Sequence, residues 1–168
     1  GIRRKGRIDV GIEKYSVLRA LGAIERCDVA ITVVDGAEQP SAQDTRIAGY
    51  AHEAGKAAVI AVNKWDIVER DDTTAREYER ALRAFLEFMP YAPVVFVSAL
   101  TGRRIGRLLE AVKSSAAQHR RRVQTAMVNR VVQDAVMRNP PPPDGGREVR
   151  VYYATQVSAR PPRFAVWV

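Results

Sequence analysis

The sequence predicts an α/β architecture built on a parallel sheet, followed by a smaller α+β region that is incomplete as a fold. Three observations carry this. Short apolar runs rich in β-branched residues, at positions 29–35, 58–63 and 93–97, alternate with segments whose apolar residues recur at helical spacing. Alternation of this kind predicts strands buried on both faces of a parallel sheet, with helices on both faces and right-handed connections. The composition then changes near Gln118-His119-Arg120-Arg121-Arg122, and beyond it two runs alternate with a period of two. The expected division is residues 1–120 for the first domain and 121–168 for the second.

In chain order, Gly1-Ile2-Arg3-Arg4-Lys5-Gly6-Arg7 has neither helical nor strand period. With no initiator Met, it reads as a basic loop in the middle of a domain. Ile12, Tyr15, Val17, Leu18, Leu21 and Ile24 then mark an amphipathic helix, and the run from Val29 a strand that closes on Asp35-Gly36. Ser41-Ala42-Gln43-Asp44 resembles a capping box with Asp in place of Glu, opening a helix that Gly55 ends. After the second strand, the acidic stretch Glu69-Arg70-Asp71-Asp72-Thr73-Thr74 is expected to supply a loop and helix cap. Tyr78, Leu82, Phe85, Leu86 and Met89 make the buried stripe of the next helix, which Pro90 stops. Ile105, Leu108, Leu109 and Val112 define the helix after the third strand.

In the second region, Val123, Met127, Val128, Val131, Val132, Ala135 and Val136 make one further helix. Pro140 to Pro143 end it, and Asp144-Gly145-Gly146 is a turn. Val149, Val151 and Tyr153 alternate with Arg150, Tyr152 and Ala154. Phe164, Val166 and Val168 alternate after Arg160-Pro161-Pro162, so an antiparallel pair is expected. One helix and two strands do not close a core.

Chemistry concentrates where the second strand ends, at Asn63-Lys64-Trp65-Asp66. Open α/β sheets bind ligands at the carboxyl ends of their strands. A carboxylate at Asp66 can accept from both N1–H and the N2 amino group of guanine, while the Asn63 amide faces its O6/N7 side and the Lys64 stem lies along the nucleotide. Adenine would leave the carboxylate unpaired. The competing reading is a strand-ending turn, for which Asn and Asp are common. The third strand ends in Ser98-Ala99-Leu100-Thr101-Gly102, small enough for backbone N–H groups to approach a base oxygen.

Composition bounds the rest. A single cysteine, Cys27, excludes an internal disulfide framework and fits a reducing compartment. No apolar run has the length of a membrane helix, so a cytoplasmic location without membrane contact is expected. The net charge of +8 is uneven: residues 1–22 carry +4, 23–100 carry −5, 101–122 carry +6 and 123–168 carry +3. Basic flanks around an acidic middle suggest a surface for a polyanion, with RNA the expected partner; a solvated helix face is the alternative for 103–122. His52 and His119 suggest local hydrogen bonding rather than catalysis, and Tyr15, Tyr50 and Tyr78 suggest packing.

Asn63-Lys64-Trp65-Asp66 and Ser98-Ala99-Leu100 resemble the two guanine-reading motifs of the Ras-like GTPase superfamily. Gly1-Ile2-Arg3-Arg4-Lys5, Glu13-Lys14-Tyr15-Ser16, Arg46-Ile47-Ala48-Gly49-Tyr50, Tyr91-Ala92-Pro93 and Tyr152-Tyr153-Ala154-Thr155-Gln156 resemble one subfamily of it, Der or EngA. That subfamily has two tandem G domains and a C-terminal KH-like domain. The resemblance implies a partial Ras-like P-loop GTPase domain, lacking its phosphate-binding loop, followed by the first part of a KH-like domain. It implies GTP/GDP as ligand, bound by Asn63, Lys64, Asp66, Ser98, Ala99 and Leu100, with Gly1 and Ile2 where the γ-phosphate is met. Mg²⁺ is implied for the complete protein, with ligands outside this chain.

Implied partners are the large ribosomal subunit, its rRNA and the protein's own N-terminal G domain; the implied role is ribosome assembly. The resemblance implies a parent that hydrolyses GTP; no Gly-X-X-X-X-Gly-Lys-Ser/Thr segment occurs in the sequence, so this chain alone is expected to be inactive. Ile2 stands where Ras-type enzymes have a water-orienting glutamine, implying hydrolysis by another device such as a cation or loop element. The KH-like part has no Gly-X-X-Gly clamp. A nucleotide-independent RNA- or protein-binding module, or a tRNA-modification or translation-factor GTPase, are the alternatives.

Overall fold

The computed structural model describes residues 10–68 and 73–168, with side chains of the first helix described from Leu18 onward. Gly1, Ile2, the Arg3-Arg4-Lys5-Arg7 loop, Tyr15 as a packing residue and the acidic residues 69–72 lie outside the described residues. The chain divides between Ala117 and Gln118 into two compact units.

The first unit runs α1 (Val10–Arg26), β1 (Val29–Asp35), α2 (Ala42–Glu53), β2 (Ala57–Asn63), α3 (Thr74–Phe85), β3 (Val94–Phe96) and into α4 (Ile105–His119). Its strands form a parallel sheet in the order β1-β2-β3, with Thr32 level with Ile60 and Val34 with Val62. Every residue of β2 except Asn63 is buried, as a central parallel strand requires. Ala58, Ile60 and Val62 pack with Val34, Phe96, Ala48 of α2 and Tyr78 and Leu82 of α3 in one core. Ile31 and Val33, on the opposite face of β1, are 42% and 61% exposed. The expectation of a strand buried on both sides fails there because, among the described residues, β1 is an edge strand whose Ile31/Val33 face has too little cover.

Local signals explain the element ends. The Asp44 carboxylate accepts from the Ser41 N–H at 2.9 Å and from the Ser41 hydroxyl at 2.7 Å, anchoring the start of α2. Gly55 follows that helix with φ at +64°, where a side chain would be strained. Helix α3 stops at Phe85, five residues before Pro90. The Arg83 guanidinium donates to Ala92 O at 2.8 Å and holds the turns that follow. Leu86 and Met89 therefore reach the core from those turns, and Phe85, expected on the buried stripe, is 43% exposed. Helix α4 has no buried residue, and Leu109 is more than half exposed.

The second unit consists of α5 (Thr125–Arg138) and an antiparallel hairpin of β4 (Tyr153–Ala159) and β5 (Pro162–Trp167). The strand expected over 149–154 forms instead at Tyr153–Ala159, where Ala154 and Gln156 turn inward and Tyr153 is 44% exposed. Hydrogen bonding decides this. Asn129 of α5 accepts from Ala154 N at 2.9 Å and donates to Ala154 O at 2.8 Å, so its amide acts as a strand edge. Gln156 accepts from Val123 N at 2.7 Å and donates to Arg121 O and Ser158 O. A buried glutamine so satisfied can take a core position. Of α5, only Val128 is buried. Among the described residues, no helix is long and apolar enough to cross a membrane.

Candidate functional site

Strands β1 and β2 end level with each other, placing Asp35 beside Asn63 at the carboxyl edge of the sheet. Val97 N donates to Val62 O at 2.8 Å, and Trp65 N donates to Val97 O at 3.1 Å. The two loops that carry the sequence motifs are thus stitched together by backbone. The side-chain link is Asn63 Oδ1, which accepts from Ala99 N at 2.9 Å across 36 positions of sequence. That bond also orients the amide. A backbone N–H can only donate, so the oxygen of Asn63 must face Ala99, which leaves its NH₂ group as the donor end of the amide. The Ala99 N–H is thus shared with Asn63.

Ser98 is 1% exposed, and its hydroxyl accepts from Thr101 N at 3.1 Å while its own N–H donates to Arg103 O. Its role is therefore to shape the loop, because a short hydroxyl can close this turn inside the protein. Gly102 and Arg104 both have positive φ, at 71° and 61°, completing a tight reversal. Leu100 is 86% exposed. Within Asn63-Lys64-Trp65-Asp66, Trp65 points inward and is 6% exposed, its ring 4.4 Å from that of Phe96 and 5.6 Å from that of Tyr78. Asp66 is half-buried. Lys64 sits at φ 61°, and its ammonium lies 2.6 Å from the Asp35 carboxylate.

Reading by sequence had singled out Asn63, Lys64, Asp66 and Ser98-Ala99-Leu100; it had not placed Asp35, Gly36 or Tyr78 beside them. Gly36 N donates to Asn63 O at 2.8 Å, and a Cβ at Gly36 would come within 2.8 Å of that oxygen and 2.9 Å of the Trp65 ring. Only glycine allows the approach. The signal was present in Asp35-Gly36 at the end of a neighbouring strand, but which strands are neighbours is a property of the sheet. Of the histidines, His52 has Nδ1 2.9 Å from the Tyr91 hydroxyl and its ring against Phe88, and burial pushes the Tyr91 phenol above its ordinary range.

This fold defines a P-loop-GTPase-type α/β domain followed by the helix and hairpin that begin a KH-like domain. Residues 9–118 match the family described as elongation factor Tu GTP binding domain. Residues 122–168 match the one described as KH-domain-like of EngA bacterial GTPase enzymes, C-terminal. GTPase Der of Caldanaerobacter subterraneus subsp. tengcongensis is 49% identical over 168 residues, covering all of this chain and 38% of the relative. GTPase Der of Moorella thermoacetica is 52% identical over 164 residues, 98% of this chain and 37% of the relative. Among solved structures, Era in complex with MgGDPNP and a 16S ribosomal RNA fragment has a similar fold (TM-score 0.55, 21% identity, 68% of this chain and 37% of that one). Bacterial selenocysteine-specific elongation factor EF-Sec does too (TM-score 0.51, 30% identity, 58% and 17%). The chain belongs to the family described as elongation factor Tu GTP binding domain and to the Der (EngA) GTPases, spanning a little over a third of the length of the curated relatives it matches.

Proposed function

We propose that this chain supplies the base-reading half of a guanine-nucleotide site in a GTP-hydrolysing protein of ribosome assembly. The observation that carries the reading is the Asn63–Ala99 hydrogen bond, which joins the two motifs at the carboxyl edge of the sheet and commits the Asn63 oxygen to Ala99, leaving its NH₂ as the donor end of the amide. Guanine presents acceptors at O6 and N7 and donors at N1 and N2. A donor at Asn63 and a carboxylate at Asp66 are the complementary pair. Gly1 and Ile2 belong, on this reading, at the γ-phosphate side, with the phosphate loop and Mg²⁺ ligands contributed by sequence outside this chain.

The basic residues Arg103, Arg104, Arg107, Lys113, Arg120, Arg121 and Arg122 support contact with rRNA, and Era, a protein of similar fold, is described in complex with ribosomal RNA. The particle proposed is the large ribosomal subunit, in the cytoplasm. Family membership with GTPase Der supports the hydrolytic parent.

Two measurements test this. The full-length protein should prefer GTP to ATP in a calorimetric competition, whereas the 168-residue chain alone should bind GTP no tighter than micromolar, because phosphate and Mg²⁺ contacts supply most of the affinity of such sites. Submicromolar binding by the chain alone would contradict the division of labour. Reversal of charge at Arg120, Arg121 and Arg122 should weaken ribosome association of the full-length protein and flatten its salt dependence. Association unchanged across several salt concentrations would remove rRNA from the reading.

A further inference from the structure

We propose that Asp35 is a positioning residue for nucleotide binding, holding Lys64 in place before the ligand arrives, a role that rests on the guanine-binding reading of Asn63 to Asp66. Each oxygen of its carboxylate has a separate task. Oδ1 accepts from Ala37 N at 3.0 Å and closes the turn after β1; Oδ2 lies 2.6 Å from Lys64 Nζ. The turn itself is anchored. Tyr78 of α3 is 8% exposed, and its hydroxyl lies 2.9 Å from Asp35 O and 3.0 Å from Glu38 O, two carbonyls that can share its proton. On the other side, the Gly36–Asn63 backbone bond ties the turn to the end of β2.

The loop after β2 needs such an anchor. Lys64 occupies the left-handed region, which lysine adopts at a cost, and its side chain has four rotatable bonds to immobilise. Both costs fall on ligand binding unless the protein meets them beforehand. Asp35 meets the second by fixing the ammonium, so that the aliphatic stem spans from the end of β2 to the end of β1 before the ligand arrives. The side chains of Lys64 and Asp35 are 56% and 30% exposed, and an ordinary surface ion pair so exposed would leave nucleotide affinity unchanged. That difference makes the role measurable.

The experiment is a double-mutant cycle in the full-length protein, read by GDP titration, with circular dichroism confirming the fold. Asp35→Asn keeps an acceptor for Ala37 N and removes the charge facing Lys64. It should weaken GDP binding by about three- to tenfold, the scale of one immobilised long side chain. Lys64→Ala should weaken it at least as much. In the Lys64→Ala background, Asp35→Asn should add nothing beyond about twofold, because the lysine it positions is gone. Losses that multiply, or no loss with Asp35→Asn, would overturn the positioning role. Asp66→Asn, titrated with GTP and xanthosine triphosphate in the same series, separates the two readings. A switch in base preference alongside a non-coupled Asp35 would sink only this proposal; an unchanged preference would sink both.

Discussion

Replacing Asp66 with Asn should turn a guanine-preferring site into one that prefers xanthine. The carboxylate offers two acceptors to the guanine N1–H and N2 amino group. Asparagine substitutes a donor for one of them, which mismatches the N2 amino group but suits the carbonyl oxygen that xanthine carries at that position. The change removes a charge-assisted bond and introduces a donor-against-donor contact. GTP affinity of the full-length protein should therefore fall by about 1–3 kcal/mol or more. The neighbouring anchors predict that the fold survives it: Trp65 is held in the core between Phe96 and Tyr78, and Asn63 is held by Ala99 and Gly36. Competition of GTP against xanthosine triphosphate on wild-type and mutant protein makes the check. A folded mutant that still prefers GTP would show that residues 63–66 are only a strand-ending turn.

Asn129→Ala should produce the largest loss of stability in the second unit. The Asn129 side chain satisfies both polar groups of Ala154, which is fully buried, and its NH₂ also donates to Thr125 O at 2.9 Å. Alanine fills none of these roles. Each buried backbone group left unpaired costs about 1–3 kcal/mol, so a loss of roughly 2–4 kcal/mol is expected in a unit whose helix buries only Val128. Amide hydrogen exchange in β4, together with denaturant unfolding, measures it. Asn129→Asp keeps an acceptor for Ala154 N but sets a carboxylate against Ala154 O, and should also destabilise. A loss below about 0.5 kcal/mol for the alanine variant would mean that water replaces the amide, and that this helix does not seal the strand.

The elements of the first unit were legible because their signals are local. β-branched runs bounded by glycine, a serine with a carboxylate three residues on, and apolar residues at helical spacing each determine a short stretch without reference to the rest of the chain. The Asn63-Lys64-Trp65-Asp66 motif was legible for the same reason. Exposure was less so. Phe85 is expected on the buried stripe, but a helix that ends early leaves it exposed, and the strand expected over 149–154 forms at Tyr153–Ala159, where Asn129 claims the polar groups of Ala154.

By itself, then, the sequence determined the order of strands and helices and carried the Asn63-Lys64-Trp65-Asp66 and Ser98-Ala99-Leu100 motifs. Only the tertiary structure decided which strand ends lie side by side. Parallel pairing brings Asp35 level with Asn63, and the Asn63–Ala99 bond spans 36 positions. Contacts of that separation depend on how the whole sheet is assembled, so no local pattern encodes them. The same assembly requires glycine at position 36, where one added carbon would meet the Asn63 carbonyl, and it turns a core tyrosine, Tyr78, into the tether of the turn that holds Lys64.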